Sequence, residues 1–199
     1  DLRTGAMTGG SGEAAVAAAA AAQLLLHLGL PSTASAGITD AKTPDAQAGY
    51  EKGYTVALAA QAGADMINLS VGMLGSIMAA SCEALVIDDD MCGAILRAVQ
   101  GVHMTDSAID LDRIEAVATG EGHYLGEAQT LALMKSEYVY PSLGNRQSIS
   151  DWQDAGSPTI WDTAVTRTKD FLQEPPTHLP KEREAAIRAA FDIRLPIGA

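Results

Sequence analysis

Apolar positions recur at helical spacing in three long stretches, residues 13–28, 46–62 and 82–100, and a glycine follows each of them. Short runs of small and apolar residues, at 31–38 and 66–70, precede the second and third stretches. Helices commonly end at a glycine, and short runs between turn residues are typical of strands. Residues 1–5 are interpreted as the end of a further strand, before the first helix. With that strand, the pattern predicts three successive βα units.

The remaining segments complete this prediction. Residues 71–76 form a predicted glycine-containing loop, and beyond Asp110 the apolar spacing becomes helical. The predicted C-terminal helices cover residues 111–117, 126–138, 160–172 and, after the Pro175-Pro176 pair, 181–193. The polar residues 145–157 predict a boundary between a first part, residues 1–144, and a helical C-terminal extension, residues 145–199.

Repeated βα units of this length predict a parallel sheet covered by helices, which is the α/β class. Three units are too few to close an eight-stranded barrel, which takes about 250 residues. An open half-barrel would leave strand edges unpaired. The chain also begins at Asp1 without a methionine, so we expect either a partner that supplies the other strands or a portion that precedes Asp1.

The amino-acid composition and net charge exclude some classes of function. The chain has 199 residues, 47% of them apolar, which is enough to build a core. Its 13 Lys and Arg against 25 Asp and Glu give a net charge of −12, which disfavours nucleic acid and anionic membranes as partners. The longest near-apolar run, residues 14–26, is mostly alanine and is too short to span a bilayer. We therefore expect no membrane segment.

The two cysteines, Cys82 and Cys92, belong to no CxxC pair and have no metal-binding histidine motif beside them. A disulfide framework and a structural zinc site are thus not predicted, and a reducing cytoplasm fits best. Both thiols are interpreted as small buried side chains. The chain also lacks a GxSxG elbow and a Ser-His-Asp order, so covalent hydrolysis has little support.

Three motifs have both a functional and a structural interpretation. The glycine-rich residues 8–12 precede a helix and could bind a phosphate through backbone N–H groups, but a tight strand-to-helix turn is favoured. Consecutive carboxylates at Asp88, Asp89 and Asp90 point about 100° apart on a helix and cannot share one ion, so they are interpreted as a solvated helix face. No metal site is predicted.

His123 and Tyr124 lie in a loop flanked by Gly120, Gly122 and Gly126, just before a predicted helix. Loops in this position carry substrate-handling groups in βα barrels. The alternative is that His123 is a hydrogen-bonded structural residue of the loop. His123 is the best candidate among the four histidines.

Several strings resemble the C-terminal half of the trimethylamine:corrinoid methyltransferase family, in the same order and at similar separations. They are residues 1–7 (DLRTGAM), 39–42 (TDAK), 45–52 (DAQAGYEK), 83–89 (EALVIDD), 122–125 (GHYL) and 141–143 (PSL). The resemblance runs from Asp1 to about Leu179. It implies that the chain holds the later βα units of a TIM-type (β/α)8 barrel with a helical C-terminal extension.

The resemblance also implies an activity. In that family a methyl group leaves a tertiary or quaternary amine and joins the Co(I) of a separate corrinoid protein, which docks on the open face of the barrel. The expected partners are thus a corrinoid protein and a small amine, and we expect a homo-oligomer. No cofactor is expected to bind this chain directly, because the partner supplies the corrinoid (cobalamin).

Site residues are predicted from their positions after strands or before helices and from their fit to a cationic amine, which aromatic faces and carboxylates attract. The predicted catalytic residues are His123, Tyr50 and Glu51. The predicted substrate-binding residues are Asp40, Gln47, Ser70, Met73, Glu83, Tyr124 and Arg3. Gln129 stands where relatives often have histidine, so no role is transferred to it.

The substrate expected from the resemblance is a betaine-like quaternary amine. Founding members of the family carry pyrrolysine, whereas every residue here is one of the standard twenty. A substrate carboxylate would need a donor, for which Arg3, Lys42 and the amides of residues 9–12 are candidates.

Two other functions remain open. The chain could be a quaternary-amine-binding barrel that no longer meets a corrinoid partner. It could also be another TIM-barrel enzyme, such as an aldolase or decarboxylase, with Lys42 as a Schiff-base lysine after the strand 31–38.

Overall fold

A computed structural model describes residues 1–104, 108–173 and 179–193. Helices dominate this part of the chain, with strands confined to its first half. The elements in chain order are α1 (Gly12–His27), β1 (Thr33–Ala36), α2 (Ala46–Gln61), β2 (Met66–Leu69), β3 (Met73–Leu74), β4 (Ala79–Ala80), α3 (Cys82–Gln100), α4 (Leu111–Thr119), α5 (Ala128–Leu133), α6 (Ile149–Asp154), α7 (Ile160–Gln173) and α8 (Lys181–Ala190).

Each of the three long helices begins at a polar cap, within one residue of its predicted start. Ser11 Oγ accepts the amide of Ala14 at 3.2 Å, and Ser81 Oγ accepts the amide of Ala84 at 3.1 Å. Asp45 caps α2, and hydrogen bonds led by that from Thr43 lower the pKa of its carboxyl. These caps satisfy amides that would otherwise lack a partner in the first helical turn.

Strands β1 and β2 pair in parallel, with Thr33 opposite Met66 and Ala36 opposite Leu69. Ser32 and Asp65, which precede the two strands, fix this register through the 2.8 Å bond from Ser32 N to Asp65 Oδ2. The prediction that the two strands are adjacent and parallel is confirmed. A parallel pair needs a crossover connection, which α2 supplies.

Small side chains form the core around this pair. Ala34 and Ala36 on one face of β1 pack with Val56 and Ala59 of α2. A second cluster, in which Ala19 and Ala22 of α1 meet Ala62, joins α1 to α2. Alanine at these contacts lets the helices approach closely, as ridges-into-grooves packing allows.

The predicted loop at residues 71–76 contains a strand, which corrects the prediction. β3 pairs antiparallel with β4, and Leu74 is buried in the hairpin. Gly72, at the hairpin base, has a φ of +71°, and a Cβ there would lie 2.9 Å from Leu85 Cβ and 3.0 Å from Ser81 O. Glycine is therefore required at this position by both conformation and space.

One C-terminal helix prediction is wrong in extent, whereas α4, α7 and α8 lie close to their predicted ranges. The helix predicted at 126–138 shortens to α5, whose N-cap Glu127 makes no side-chain capping bond. The predicted boundary segment 145–157 contains α6, because Ser148 Oγ accepts the amide of Asp151 at 3.2 Å. The Pro175-Pro176 break lies outside the described residues.

The start of the chain also differs from its prediction. Residues 2–4 form a turn, in which the amide of Gly5 donates to Asp1 O at 2.7 Å, rather than the end of a strand. Helix α7 packs against α3, so the predicted extension contacts the first part directly. The boundary at residue 144 and the eight-stranded barrel stay predictions.

Within the described ranges, no helix combines the length and the apolar character that crossing a lipid bilayer would require.

Candidate functional site

A buried carboxylate, Glu51, organises the loop that follows β1. Its side chain is 7% exposed. Glu51 Oε2 accepts Thr39 Oγ1 at 2.6 Å and the amide of Asp40 at 2.7 Å. Glu51 Oε1 accepts Gln47 Nε2 at 2.9 Å. Both oxygens are thus engaged, as a buried carboxylate requires.

Local sequence explains this arrangement. Gln47 and Glu51 are four residues apart and share one face of α2, so their side chains meet. The cap at Asp45 starts α2 so that this face turns toward the loop after β1. Asp40, Gln47 and Glu51 are therefore predicted site residues that the structure brings together.

Two tyrosines lie beside this carboxylate. The rings of Tyr50 and Tyr54 stack with centroids 6.4 Å apart, and the Tyr54 hydroxyl donates to Gly10 O. Burial, followed by the negative charge of Glu51, raises the pKa of the Tyr54 hydroxyl. A Cβ on Gly10 would lie 2.5 Å from Glu51 Oε2 and 3.1 Å from the amide nitrogen of Asp40, so a larger residue would displace the Glu51 carboxylate. The glycine-rich segment is therefore a close-packed turn that leads into α1, as predicted, but residues 1–8 before it form no strand.

A third loop reaches the same place from the hairpin. Ser76 N donates to Thr39 O and Gly75 N donates to Ala41 O, both at 2.7 Å. The Ser76 hydroxyl bonds Asp40 Oδ1 and lies 3.0 Å from Met7 O. The loop that precedes α1, the loop that follows β1 and the turn that joins β3 to β4 thus converge on Asp40.

A buried ion pair lies behind these loops. Lys52 Nζ is 2.5 Å from Asp88 Oδ2, which also accepts the amide of Gly72 at 2.7 Å. The side chains are 2% and 6% exposed. The sequence analysis did not predict this pair, because in the sequence Lys52 looks like any other charged residue on an amphipathic helix.

The acidic run on α3 corrects the prediction of a solvated helix face. Asp88 is buried with Lys52, and Asp90 accepts the amides of Ser142, Leu143 and Gly144. Two of the three carboxylates thus have structural partners. No group of acidic, histidine or cysteine side chains in residues 1–104, 108–173 and 179–193 is arranged to hold a metal ion.

Ser70 and Met73, both predicted substrate-binding residues, follow β2. Ser70 N donates to Ala36 O at 3.2 Å, which continues the ladder between the strands. Met73 N donates to Ser70 O at 3.2 Å, and Met73 begins β3. The two residues therefore lie at the carboxyl end of the parallel pair, where the chemistry of βα folds is found.

Four other predicted site residues make only local contacts. His123 is about half exposed, with Nε2 3.8 Å from a carboxylate oxygen of Glu121. Tyr124 is exposed in the same loop, and Arg3 pairs with Asp1. Glu83 accepts Ser81 Oγ at 2.8 Å, and hydrogen bonds led by that from its own amide lower its pKa. Their roles in a shared site stay predictions.

The interpretation of both cysteines as buried is corrected. Cys82 is exposed in the first turn of α3, and Cys92 is half-buried on the same helix. Burial, with the charge of Asp88 nearby, raises the pKa of the Cys92 thiol. Both thiols are free.

This arrangement suits a positively charged ligand. The negative charges of Glu51, Asp40 and Glu13 all act on the Tyr54 hydroxyl, and the ring of Tyr54 stacks on that of Tyr50. Carboxylates and aromatic faces both attract a cation, most strongly where water is excluded.

The chain resembles one family of known proteins over nearly all of its length. The family model described as trimethylamine methyltransferase matches residues 1–195. A glycine betaine methyltransferase of Desulfitobacterium hafniense (strain Y51) is 36% identical over 152 residues, which are 76% of this chain and 32% of that protein. Trimethylamine methyltransferase MttB of Methanosarcina barkeri is 37% identical over 176 residues, which are 87% of this chain and 34% of that protein.

A more distant relative, trimethylamine methyltransferase MttB of Desulfitobacterium hafniense (strain DSM 10664 / DCB-2), is 30% identical over 187 residues. Those residues are 92% of this chain and 36% of that protein. The chain thus spans about a third of the length of these curated relatives, and the family resemblance predicted from the sequence is confirmed. The chain belongs to the trimethylamine methyltransferase family.

Proposed function

We propose that the protein takes part in corrinoid-dependent methyl transfer, moving a methyl group from a tertiary or quaternary amine to the Co(I) of a corrinoid protein. The observation that carries the proposal is the family match over residues 1–195. The relatives named for glycine betaine and trimethylamine both act on methylated amines by their names. The acidic, tyrosine-bearing cluster at Asp40 supports the same substrate class.

The proposed architecture is a TIM-type barrel to which this chain contributes later βα units. Support comes from the parallel β1–β2 pair joined by α2, which is the repeating unit of such a barrel. Asp40 and Ser70 follow these two strands, so they would lie on the face that carries the chemistry.

The chemistry makes few demands on proton transfer. When a quaternary ammonium loses a methyl group to cobalt, the carbon–nitrogen bond breaks and its electron pair stays on nitrogen. The product is a neutral tertiary amine, so no residue has to supply a proton. A tertiary amine would react in its protonated form, which already carries the proton that the leaving nitrogen needs. The chain's own task is to bind and orient the cation and to exclude water around the methyl carbon.

The roles proposed for individual residues follow from their exposure. Tyr50 is 59% exposed and can present its ring to a cation, and His123 is also accessible. Glu51 has both oxygens occupied by Thr39, Asp40 and Gln47. We therefore propose that Glu51 orders the loop after β1, while Asp40 meets the substrate.

A betaine-like substrate is proposed because none of these 199 residues is a pyrrolysine that could bind a tertiary amine covalently. Its carboxylate would need a donor such as Arg3, whose guanidinium is 87% exposed although it pairs with Asp1. The Schiff-base alternative gains no support, since Lys42 is exposed and donates to Asp40 O at 2.6 Å. A homo-oligomer is also proposed, as is a cytoplasmic location, with which the two free thiols agree.

The test measures methyl transfer to cob(I)alamin from glycine betaine, carnitine and trimethylamine, using the protein expressed from its complete reading frame. We expect a methyl-cobalt spectrum, with the quaternary amines faster than trimethylamine. Binding without any methyl transfer would favour the amine-binding alternative. Equal or faster transfer from trimethylamine would contradict the betaine-like assignment.

A matched pair of variants tests the cation–π contact. Tyr50 and Tyr138 are equally exposed, at 59%. Tyr50→Leu should weaken binding of the quaternary amine by up to about thirtyfold, since one desolvated cation–π contact contributes up to about 2 kcal/mol. Tyr138→Leu should leave binding unchanged. Equal effects of the two variants would remove Tyr50 from the site.

A further inference from the structure

The turn at the tip of the hairpin has an unusual backbone. Three consecutive residues have positive φ angles: Gly75 at 56°, Ser76 at 54° and Ile77 at 67°. Only glycine adopts this left-handed region without cost, and a β-branched residue there is a clear outlier. Such strain persists only where the surrounding structure imposes it.

Contacts with the loop after β1 impose this conformation. The amides of Gly75 and Ser76 donate to Ala41 O and Thr39 O. Ser76 is 8% exposed, and its hydroxyl lies within hydrogen-bonding distance of Asp40 Oδ1 and of Met7 O. A hydroxyl has one proton to donate, and a carboxylate is the stronger acceptor, so the proton goes to Asp40.

Asp40 is thereby held at three points. Its amide donates to Glu51 Oε2 at 2.7 Å, its carbonyl accepts Lys42 Nζ at 2.6 Å, and its Oδ1 accepts Ser76 Oγ. Within the described ranges, no side chain or amide donates to the other carboxylate oxygen, Oδ2. One oxygen of Asp40 is thus fixed and the other is open to a ligand.

We propose that Ser76 is a positioning residue that orients Asp40, so that Asp40 Oδ2 contacts the positive nitrogen of the methylated amine. The proposal rests on the proposed function and deepens it, because it assigns recognition of substrate charge to one carboxylate. The strained turn then has a purpose, since it brings the Ser76 hydroxyl to Asp40.

Substitutions at the turn separate the hydroxyl from the backbone. Ser76→Gly removes the hydroxyl and also relieves the backbone strain. If Ser76 served only to stabilise the turn, this variant would keep the charge preference of the wild type and would be at least as stable. Ile77→Gly relieves strain and keeps the hydroxyl. Ser76→Asn restores a side-chain donor in a residue that tolerates the left-handed region.

The readout is the preference for positive charge, measured with the protein expressed from its complete reading frame. Titration calorimetry gives the dissociation constants of the tetramethylammonium ion and of neopentyl alcohol, a neutral molecule of similar shape. The ratio of these two dissociation constants reports how strongly the site recognises charge. A general loss of stability would weaken the binding of both molecules and leave the ratio unchanged. Methyl transfer to cob(I)alamin is measured in parallel.

We expect the wild type and Ile77→Gly to prefer tetramethylammonium to a similar extent. Ser76→Gly should reduce that preference roughly fivefold, about the effect of one hydrogen bond, and Ser76→Asn should restore part of it. Asp40→Asn should reduce it by roughly tenfold or more, because the charge itself is lost.

A Ser76→Gly preference equal to that of the wild type would overturn the proposal. So would a wild type that binds both probes equally. If the charge preference behaves as expected but no variant transfers methyl groups, the positioning role stands and the proposed methyl transfer fails. The two hypotheses can therefore fail separately.

Discussion

Different interactions stabilise the fold in residues 1–104 and in the described residues from 108 onward. The first region buries charged and polar groups in long-range contacts, including Glu51, Lys52 and Asp88. In the second region, the described residues that are buried are Val117, Leu143, Ala164 and Thr168. Much of its hydrogen bonding is local, in caps and in pairs within one helix.

This difference shows where shape is specified most strictly. A buried charge must keep its partner in place, because its loss leaves an uncompensated ion in a poorly solvating interior. Exposed pairs tolerate loss, since water replaces the partner. The first region, which carries the candidate site, should therefore respond much more strongly to loss of a charged partner than the second region.

The largest expected effect comes from the buried pair. Asp88→Asn leaves the Lys52 ammonium buried without a counter-charge, and we expect the free energy of unfolding to fall by about 3–5 kcal/mol. Urea denaturation followed by circular dichroism measures this change. Adding Lys52→Met to Asp88→Asn should recover most of the loss, because the unpaired charge is then removed.

The control lies in the second region. Glu127 pairs with Arg113, and both side chains are about one-third exposed. Glu127→Gln should lower the free energy of unfolding by less than about 1 kcal/mol. If Asp88→Asn lowers the free energy of unfolding no more than Glu127→Gln does, the proposed contrast between the two regions is wrong.

An intermediate effect is expected where the regions meet, at Asp90. Burial would raise the pKa of this carboxyl, but amide hydrogen bonds from Gly144, Ser142 and Leu143 outweigh it and lower the pKa below the ordinary 3.8. Hydrogen bonds to a charged acceptor predict that Asp90→Asn lowers the free energy of unfolding by about 1–2 kcal/mol.

The pH dependence has a definite sign. A carboxyl whose pKa is lower in the folded state stabilises the fold above its unfolded pKa, and this contribution is lost as the pH falls through the folded pKa. The stability difference between wild type and Asp90→Asn should thus be constant above about pH 5 and shrink below about pH 4. Denaturant titrations at several pH values measure it, and a difference that grows in acid would contradict the assignment.

The last expected effect is a gain in stability. Thr168 on α7 is 5% exposed, and its Oγ1 has no hydrogen-bond partner. Thr168→Val removes this unsatisfied hydroxyl and should raise the free energy of unfolding by about 1 kcal/mol. Thr166, on the same helix, is exposed and bonds Asp162 O, so Thr166→Val should give no gain. Destabilisation by Thr168→Val would indicate that the hydroxyl has a partner.

Sequence patterns predicted the elements whose causes are local. The ends of α1, α2 and α3 follow from caps and glycines within a few residues. The hairpin was missed because β3 and β4 have two residues each, too few to show a period. Its tip is held by Thr39 and Ala41, which lie far from it in sequence.

The same distinction applies to the candidate site: its local contacts could be predicted from the sequence, and its long-range contacts could not. Asp40 and Glu51 are eleven positions apart, with Gln47 between them, on a loop and the helix that follows it, so their proximity could be inferred from spacing. Ser76 lies 36 positions from Asp40, and Lys52 lies 36 positions from Asp88. Contacts of this range depend on how the elements pack, which periodicity along the chain does not reveal.

The Lys52–Asp88 pair also sets an order of events during synthesis. When α2 leaves the ribosome, the partner of Lys52 is still 36 residues away in the chain. At roughly 5–20 residues per second, Asp88 emerges from the ribosome about 2–7 seconds after Lys52. Until then the lysine must keep its ammonium in water, so α2 cannot pack fully on β1. The nascent chain therefore closes this region only once α3 has been made.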